Sequence, residues 1–462
     1  MIPVFFYLFW ISMMAKSDTV RDVFWEERQL TFGSQNHELD HNENFSFDDE
    51  WIVYDTRPDP DGIAQNAKIE KVHAKTGETH VIYEAPTPSE FGPGIGAVSY
   101  HPSESKVIFI HGLPYSDASR PYAGHRRTGV IIDESRPDKV SFMDSRDIYP
   151  PFTSGALRGG THRHQWSTDG EWIGFTYNDA LMVDLERKTG RKHDLRTVGV
   201  AKEKGPDVSI QPDEEAENIQ GEWFSALVVK VVPDPVPGSD EISRAYGDWW
   251  VGNHGYLKAP GKHQRARAYM GDLLTSEGKA ITEVFVVDIP DELHQEGDSG
   301  PLEGTASTMP MPPKGAVSRR LTYTENRRFP GVATTPRHWL SSASDGSFIS
   351  YLAKDDNGTV QVFLISPLGG EPIQATFHSF PVQSMVRWHP QNPEFTYVCD
   401  NSIFMVSLAG EDEIKGPVRL TARSDEQPFA HCFSRKGDKI AFNRYVEKEG
   451  KRFIQVFLAE SP

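Results

Sequence analysis

Apolar residues along this chain come in short runs, and each run follows a small cluster of aromatic, Ser, Asp, Pro and Gly residues. No apolar spacing of about 3.6 is sustained over a helical length, so the runs predict strands joined by turns. Seven such turns align: Phe45-Ser46-Phe47-Asp48-Asp49, Tyr100-His101-Pro102-Ser103, Trp166-Ser167-Thr168-Asp169-Gly170, Phe224-Ser225, Ser342-Ala343-Ser344-Asp345-Gly346, Trp388-His389-Pro390-Gln391-Asn392 and Phe433-Ser434-Arg435-Lys436-Gly437. Asp and Gly tolerate the positive φ that a tight antiparallel turn needs. A second strand follows the turn at 51–54, 107–110, 172–177, 348–352, 395–398 and 440–442. A third is predicted at 68–72, 129–133, 181–185, 283–288, 360–365, 402–408 and 453–458, and a fourth at 79–84, 139–143, 192–196, 319–323, 372–377 and 418–422.

The last unit has no fourth strand of its own. Glu27-Arg28-Gln29-Leu30-Thr31 reads like Arg319-Arg320-Leu321-Thr322 and Val418-Arg419-Leu420-Thr421, so the missing strand stands at the front of the chain. A closed ring that hides its edge strands explains this order. The expected fold is all-β, a seven-bladed β-propeller over residues 18–462, closed by the N-terminal strand joining the last blade. The segments 201–218, 233–266 and 290–316 interrupt the repeat and read as surface excursions of blade four, either a lid over one face or plain solvated loops.

Charge and composition narrow the function. The net charge of −18 over 462 residues opposes nucleic-acid and anionic-membrane partners. Residues 2–15 are apolar but too short for a comfortable membrane span, and Ala15-Lys16-Ser17 resembles a cleavage site. Residues 1–17 are therefore read as a signal peptide of a periplasmic or secreted protein that is not integral to the membrane and is a monomer. Two cysteines, Cys399 and Cys432, make no disulfide framework.

The innermost strand of each blade precedes its turn and lines the central channel. Four positions before the turn stand His41, Gly96, His162, His338, Ser384 and Phe429; two before it stand Glu43, Val98, His164, Leu340, Val386 and His431. In an extended strand, residues two apart share a face, so His162 and His164 are expected to present two imidazoles together. Such a set of histidines suits one divalent metal ion or general acid–base chemistry near neutrality. Arg158, Arg337 and the His125-Arg126-Arg127 run supply forks for a carboxylate, although Arg126 and Arg127 read more readily as a solvated surface. There is no Gly-x-Ser-x-Gly elbow, no phosphate-cradling loop and no His-Glu-x-x-His, and Gly92-Pro93-Gly94-Ile95-Gly96 precedes a strand rather than a helix. No nucleotide or organic cofactor is expected.

The blocks Trp51-Ile52-Val53-Tyr54-Asp55-Thr56-Arg57, Arg126-Arg127-Thr128-Gly129-Val130, Gly155-Ala156-Leu157-Arg158-Gly159-Gly160-Thr161-His162, Phe175-Thr176-Tyr177-Asn178-Asp179 and Asp400-Asn401-Ser402-Ile403-Phe404 resemble a bacterial family known as domain of unknown function 3748. That family is similar to TolB-type propellers and, more distantly, to oligogalacturonate lyases, which use a His-rich metal site in the channel. The resemblance implies β-elimination on a uronic-acid-containing oligosaccharide, by a lyase or a dehydratase. His162-x-His164 resembles the paired His of the lyase metal site; the needs of the reaction and the channel alignment, rather than the resemblance, assign catalysis to His162, His164, Arg158 and Tyr177, and substrate binding to Arg337, Arg126, Arg127 and Trp166. A Mn, Zn or Ca ion would sit on His41, His162, His338 and His431. The rival reading is a non-catalytic TolB-like propeller that binds a protein or glycan partner. A glycosidase is disfavoured, because Glu43 is the only carboxylate at the aligned channel positions and that chemistry ordinarily needs a pair.

Overall fold

The turn chemistry sets the ring. Ser46 and Ser167 each hold the Asp two residues on through Oγ–Oδ1 bonds of 2.5 Å, and Asp48 and Asp169 each accept a backbone N–H across the turn at 3.1 Å. The same Ser hydroxyls receive the first N–H of the next strand, from Trp51 and Trp172, at 3.0 Å. This local network fixes the reversal before any long-range packing is made. Where the turn carries His, the imidazole takes the role of the Asp. His101 Nδ1 accepts from the N–H groups of Ser103 and Glu104 at 3.2 and 3.0 Å, and His389 Nδ1 from Gln391 and Asn392 at 3.1 and 3.0 Å.

The computed structural model describes residues 20–40, 43–58, 62–211, 213, 217–409 and 413–462. The expected leader, 1–17, and His41 lie outside them. Seven antiparallel blades form a ring. Blade one has Trp51–Asp55, Lys68–His73 and Thr79–Glu84, with inner bridges Phe45–Ile52 and Glu38–Asp55. Blade two runs Gly96–Tyr100, Lys106–Gly112, Arg127–Asp133 and Val140–Phe142. Blades five and six follow the predicted order from Ser341–Ser342 to Ile373–Gln374 and from Arg387–Trp388 to Glu413–Arg419. Blade seven takes Glu26–Gln29 as its outer strand, with Arg28 opposite Leu458, so the front of the chain closes the ring as its sequence predicts. Arg21–Asp22 adds a short parallel strand to blade six. The middle strands are buried on both faces, as in Trp172–Asp179, and their side chains fill the wedges between blades.

Blades three and four depart from the predicted register. Residues 181–185 are not a strand but part of a helix, Ala180–Thr189. Asp179 caps it by accepting from Met182 N–H, Gly190 ends it at φ +67°, and Met182 and Val183 face inward. The third strand of blade three is therefore Thr197–Lys202 and the fourth is Phe224–Leu227, so Phe224-Ser225 is not the turn of unit four. Blade four begins inside the segment 233–266, with Arg244–Trp250 as its inner strand and a hairpin, Tyr256–Ala259 and Lys262–Gln264, in place of the short turn. The segment 201–218 belongs to blade three, between its third and fourth strands, and 290–316 joins the third and fourth strands of blade four.

Neighbouring turns pack edge to edge. A Cβ at Gly170, itself at φ +75°, would lie 2.2 Å from His101 Nε2. Gly170→Ala is expected to destabilise by about 1–3 kcal/mol, and adding His101→Ala should relieve the clash but leave the φ strain, so a thermal melt of the double variant should show less than the summed loss. Burial depresses several imidazoles: His37, His101 and His338 to about 4, and His164 to about 3. Their folded values lie below the unfolded value of about 6.5, so their stabilisation is complete above that pH and is lost as the pH falls toward 4. Melting temperature should hold above about pH 6.5 and drop steadily below it.

Candidate functional site

Four inner strands carry the same irregularity. Their pairing shifts between Gly96 and Ser99, His162 and Gln165, Tyr246 and Trp249, and Phe429 and Cys432. At each bulge the second residue has positive φ: Ala97 at 56°, Arg163 at 55°, Gly247 at 62° and Ala430 at 51°. An extra residue re-aims every side chain after it. His162 and His164 therefore do not share a face, contrary to the simple strand alternation. His162 stays at the channel. His164 turns into the wedge between blades two and three, fully buried, with Nε2 2.9 Å from Thr161 Oγ1 and against Gly129. His431, after the equivalent bulge, is likewise fully buried and lies away from the cavity that His162 lines.

That cavity, of about 450 Å³, opens at the end of the ring where the inner strands begin. Six arginines line it: Arg57, Arg127, Arg163, Arg196, Arg244 and Arg337. His162, His338, Tyr246, Trp339 and one carboxylate, Asp40, share the wall. Arg57 is neutralised by Asp55 at 2.5 Å, Asp40 at 3.3 Å and Glu38 at 3.5 Å. Arg163 is sandwiched between Trp339 at 4.3 Å and Trp249 at 5.1 Å, and Arg387 stacks on Trp249 at 4.7 Å and pairs with Glu43 at 2.9 Å. This alternating stack of rings and guanidiniums floors the cavity. Beyond it, Glu43, Trp249 and Arg387 line a second hollow of about 340 Å³ at the turn end of the channel.

Arg127, Arg196, Arg244 and Arg337 make no ion pair with a carboxylate among the described residues. Arg127 and Arg337 lie over Tyr122 and Trp339, Arg244 over Tyr246, and Arg196 donates to Asn178 at 3.2 Å. Burial, then the like charges of Arg244, Arg127 and Arg337, lower Arg196 to about 10. Burial, then Arg196 and Arg127, hold His162 well below the usual imidazole range. His338 Nδ1 donates to the carbonyl of Pro336 at 3.0 Å, which leaves Nε2 as the lone-pair nitrogen. Both imidazoles are neutral at pH 7.

The remaining expected site residues have structural work instead. Arg158 is fully buried. It bonds Asp179 Oδ2 at 2.8 Å and the carbonyls of Thr305 and Thr308, pinning the 290–316 segment to blade three. Tyr177 donates to the same Asp179 at 3.0 Å and accepts from Arg158 N–H, and burial with that carboxylate pushes its phenol far above its ordinary value. Neither lines the arginine cavity. Arg126 is buried against Glu217, and Trp166 lines the opposite mouth, edge-on to His101 at 4.6 Å. Neither reaches the arginine cavity. The described parts of 201–218 and 290–316 do not line it either, whereas Arg244, Tyr246 and Gly247 of 233–266 do. Of the expected metal set, His162 and His338 share the cavity, His431 does not line it and His41 lies outside the described residues, among which no group of three or more His, Cys, Asp or Glu is arranged to hold a metal ion. The cysteines are free and buried. Arg196 and Arg244 escaped the sequence reading because each sits at a strand start in the two blades whose register was misread.

The protein is a seven-bladed β-propeller whose channel mouth is an arginine-walled cup. It belongs to the family described as "Protein of unknown function (DUF3748)", whose model matches residues 94–216. A relative from Escherichia coli K12, "Uncharacterized protein YidR", is 41% identical over 421 residues, covering 90% of this chain and 94% of that one. Among solved structures, TolB from Acinetobacter baumannii is 11% identical with a TM-score of 0.34, covering 81% of this chain and 67% of that one. The propeller domain of the Trilobed protease from Pyrococcus furiosus is 10% identical with a TM-score of 0.44, covering 89% and 93%. Among the described residues no helix is long and apolar enough to cross a membrane.

Because Arg158→Ala strands a buried Asp179, it should cost about 3–5 kcal/mol. Arg337→Ala, at an exposed site, should leave the melting temperature unchanged, so parallel melts separate the two arginines.

Proposed function

We propose that this is an exported enzyme that performs β-elimination on a uronic-acid-containing oligosaccharide. The observation that carries the reading is that His162, held neutral, shares one cavity with four arginines that lack carboxylate partners. Elimination needs a carboxylate neutralised so that C5 becomes acidic, a base for the C5 proton, and an acid for the departing oxygen on C4. Guanidinium forks of Arg127, Arg196 and Arg337 meet the first need by bidentate pairing. His162 meets the second, since its ring lines the cavity and stays unprotonated at neutral pH.

The same imidazole serves the third need. In the step, the C5–H bond breaks and the proton moves to His162; the electron pair passes into the enolate of the carboxylate, held by the arginines. The C4–O bond then breaks, the C4–C5 double bond forms, and the departing oxygen takes the proton back from His162. Arginines around the ring make its imidazolium a strong acid, which favours that return. The carboxylate of the substrate offsets their field and makes His162 a better base when the cavity is filled. Tyr246 is poorly placed as the acid, because its hydroxyl is tied to Asp272 at 3.2 Å and its proton is held more tightly by burial and that carboxylate. The departing group is a sugar in a lyase and a hydroxyl in a dehydratase.

Ultraviolet absorbance of the new conjugated double bond reports turnover on pectic, alginate, ulvan and glycosaminoglycan fragments. His162→Asn should lower turnover by about 10²–10⁴ with the melting temperature preserved, and undiminished turnover would take His162 out of the chemistry. The acid limb of kcat/KM should fall below about pH 6.5, and Arg196→Gln should move it to higher pH because one depressing charge is gone.

A further inference from the structure

The arginines that face the cavity unpaired are spread around the ring. Arg127 opens the third strand of blade two, Arg196 immediately precedes the third strand of blade three, Arg244 opens the inner strand of blade four, and Arg337 lies just before His338 on the way into blade five. They thus come from four consecutive blades and converge on one cavity of about 450 Å³. A single carboxylate has two oxygens a short distance apart and can engage one or two guanidiniums, not an arc of four. In blade order Arg244 stands between Arg196 and Arg337. Arg127, Arg196 and Arg337 are the cations that depress His162, whereas Arg244 presses on Arg196. Arg244 is braced on the face of Tyr246 at 4.1 Å and has no hydrogen-bond acceptor among the described residues.

We infer that the cavity takes a polyanionic sugar chain, with one anionic group beside His162 and a second on a neighbouring sugar held by Arg244 on blade four. The inference rests on the elimination reading for which sugar reacts, but the two-anion requirement comes from the arrangement of the guanidiniums. The volume lies within the roughly 300–1,000 Å³ of sites that bury drug-sized ligands, which leaves room for more than one sugar ring. A ligand with one charge would leave most of the cluster facing itself. A chain with a charge on each sugar relieves the repulsion along the whole arc and selects against neutral glycans, whose binding would bury unneutralised guanidiniums. In this scheme Arg244 is a specificity residue: it sets how long and how charged the substrate must be, without touching the reacting carbons.

Calorimetry on the full chain tests this with galacturonate, digalacturonate and a disulfated neutral disaccharide, each at low and high salt. Digalacturonate should bind at least about tenfold tighter than galacturonate, since charge-assisted hydrogen bonds at a second site are worth about 1.5–3 kcal/mol. Salt should weaken the dianion more than the monoanion. Arg244→Gln should raise the Kd of the dianion about tenfold and leave galacturonate within about twofold, and the thermal melt of the variant should match the parent. Tight, Arg244-dependent binding of either dianion supports the inference, and the better of the two tells carboxylate from sulfate recognition. Equal affinity for galacturonate and the dianions, or an Arg244→Gln effect that is the same for all, overturns it. Binding with this pattern but without a double-bond signal would sink the elimination reading and leave the two-anion site standing. Elimination from substrates whose affinity ignores Arg244 would do the reverse.

Discussion

The extra residue in the inner strands decides what this propeller can offer a ligand. A regular strand from Gly159 to Trp166 would send His162 and His164 to the same side and Arg163 into the blade. The bulge, with Arg163 at φ 55°, instead keeps His162 at the channel, drives Arg163 toward the axis, and buries His164 between blades. A non-glycine residue at positive φ is strained, and the strain persists because the surroundings over-determine it. Arg163 is held by two tryptophans and by Asp248 O at 3.0 Å. Ala97 and Gly247, at the same step in blades two and four, also line the cavity, and their small size leaves the space that Arg163 and its tryptophans fill.

Much of the architecture was legible because it is local. Ser-x-Asp and His-Pro turns are specified by four or five residues, and each is followed by strands of the expected length, so the ring and its closure by Glu26–Gln29 can be read without long-range information. Blades three and four were opaque for a physical reason. Asp179 and Gly190 are a helix cap and a helix stop, and the ten residues between them put Met182 and Val183 inward in place of a short strand. The hairpin Tyr256–Gln264 then replaces the tight turn that marks every other unit, so the turn-based register had nothing to lock onto.

The candidate site was half legible. His162, His338, Arg127 and Arg337 do meet in one cavity, because residues at strand starts on the same end of a ring must converge toward its axis. His164, Arg158 and Tyr177 lie outside that cavity, and sequence cannot say whether an imidazole, a guanidinium or a phenol already has a partner. Arg158 lies four residues from His162, yet its fork is fully occupied by Asp179 and two carbonyls. The bulge that removes His164 leaves no composition signal, since its second residue is Ala, Arg or Gly in different blades.

Pairing separates arginines that build the fold from arginines left open on the cavity wall. In Arg267–Asp248 and Arg158–Asp179 the cation is buried with a carboxylate, as the cost of desolvating a charge requires. Arg57, on the wall of the cavity itself, has three carboxylates around it. The fold therefore has the means to neutralise a guanidinium at this very place. Its neighbours are left without that compensation in a chain of net charge −18, which has acidic groups in excess overall. A like-charge cluster inside an acidic protein lowers the stability of the empty site and focuses an attractive field on the cavity mouth. Such an arrangement is stable only if the rest of the ring holds it rigid, and the ring-and-guanidinium stack beneath it does so. On the proposed reading, the charge missing from the wall is the charge that the ligand brings.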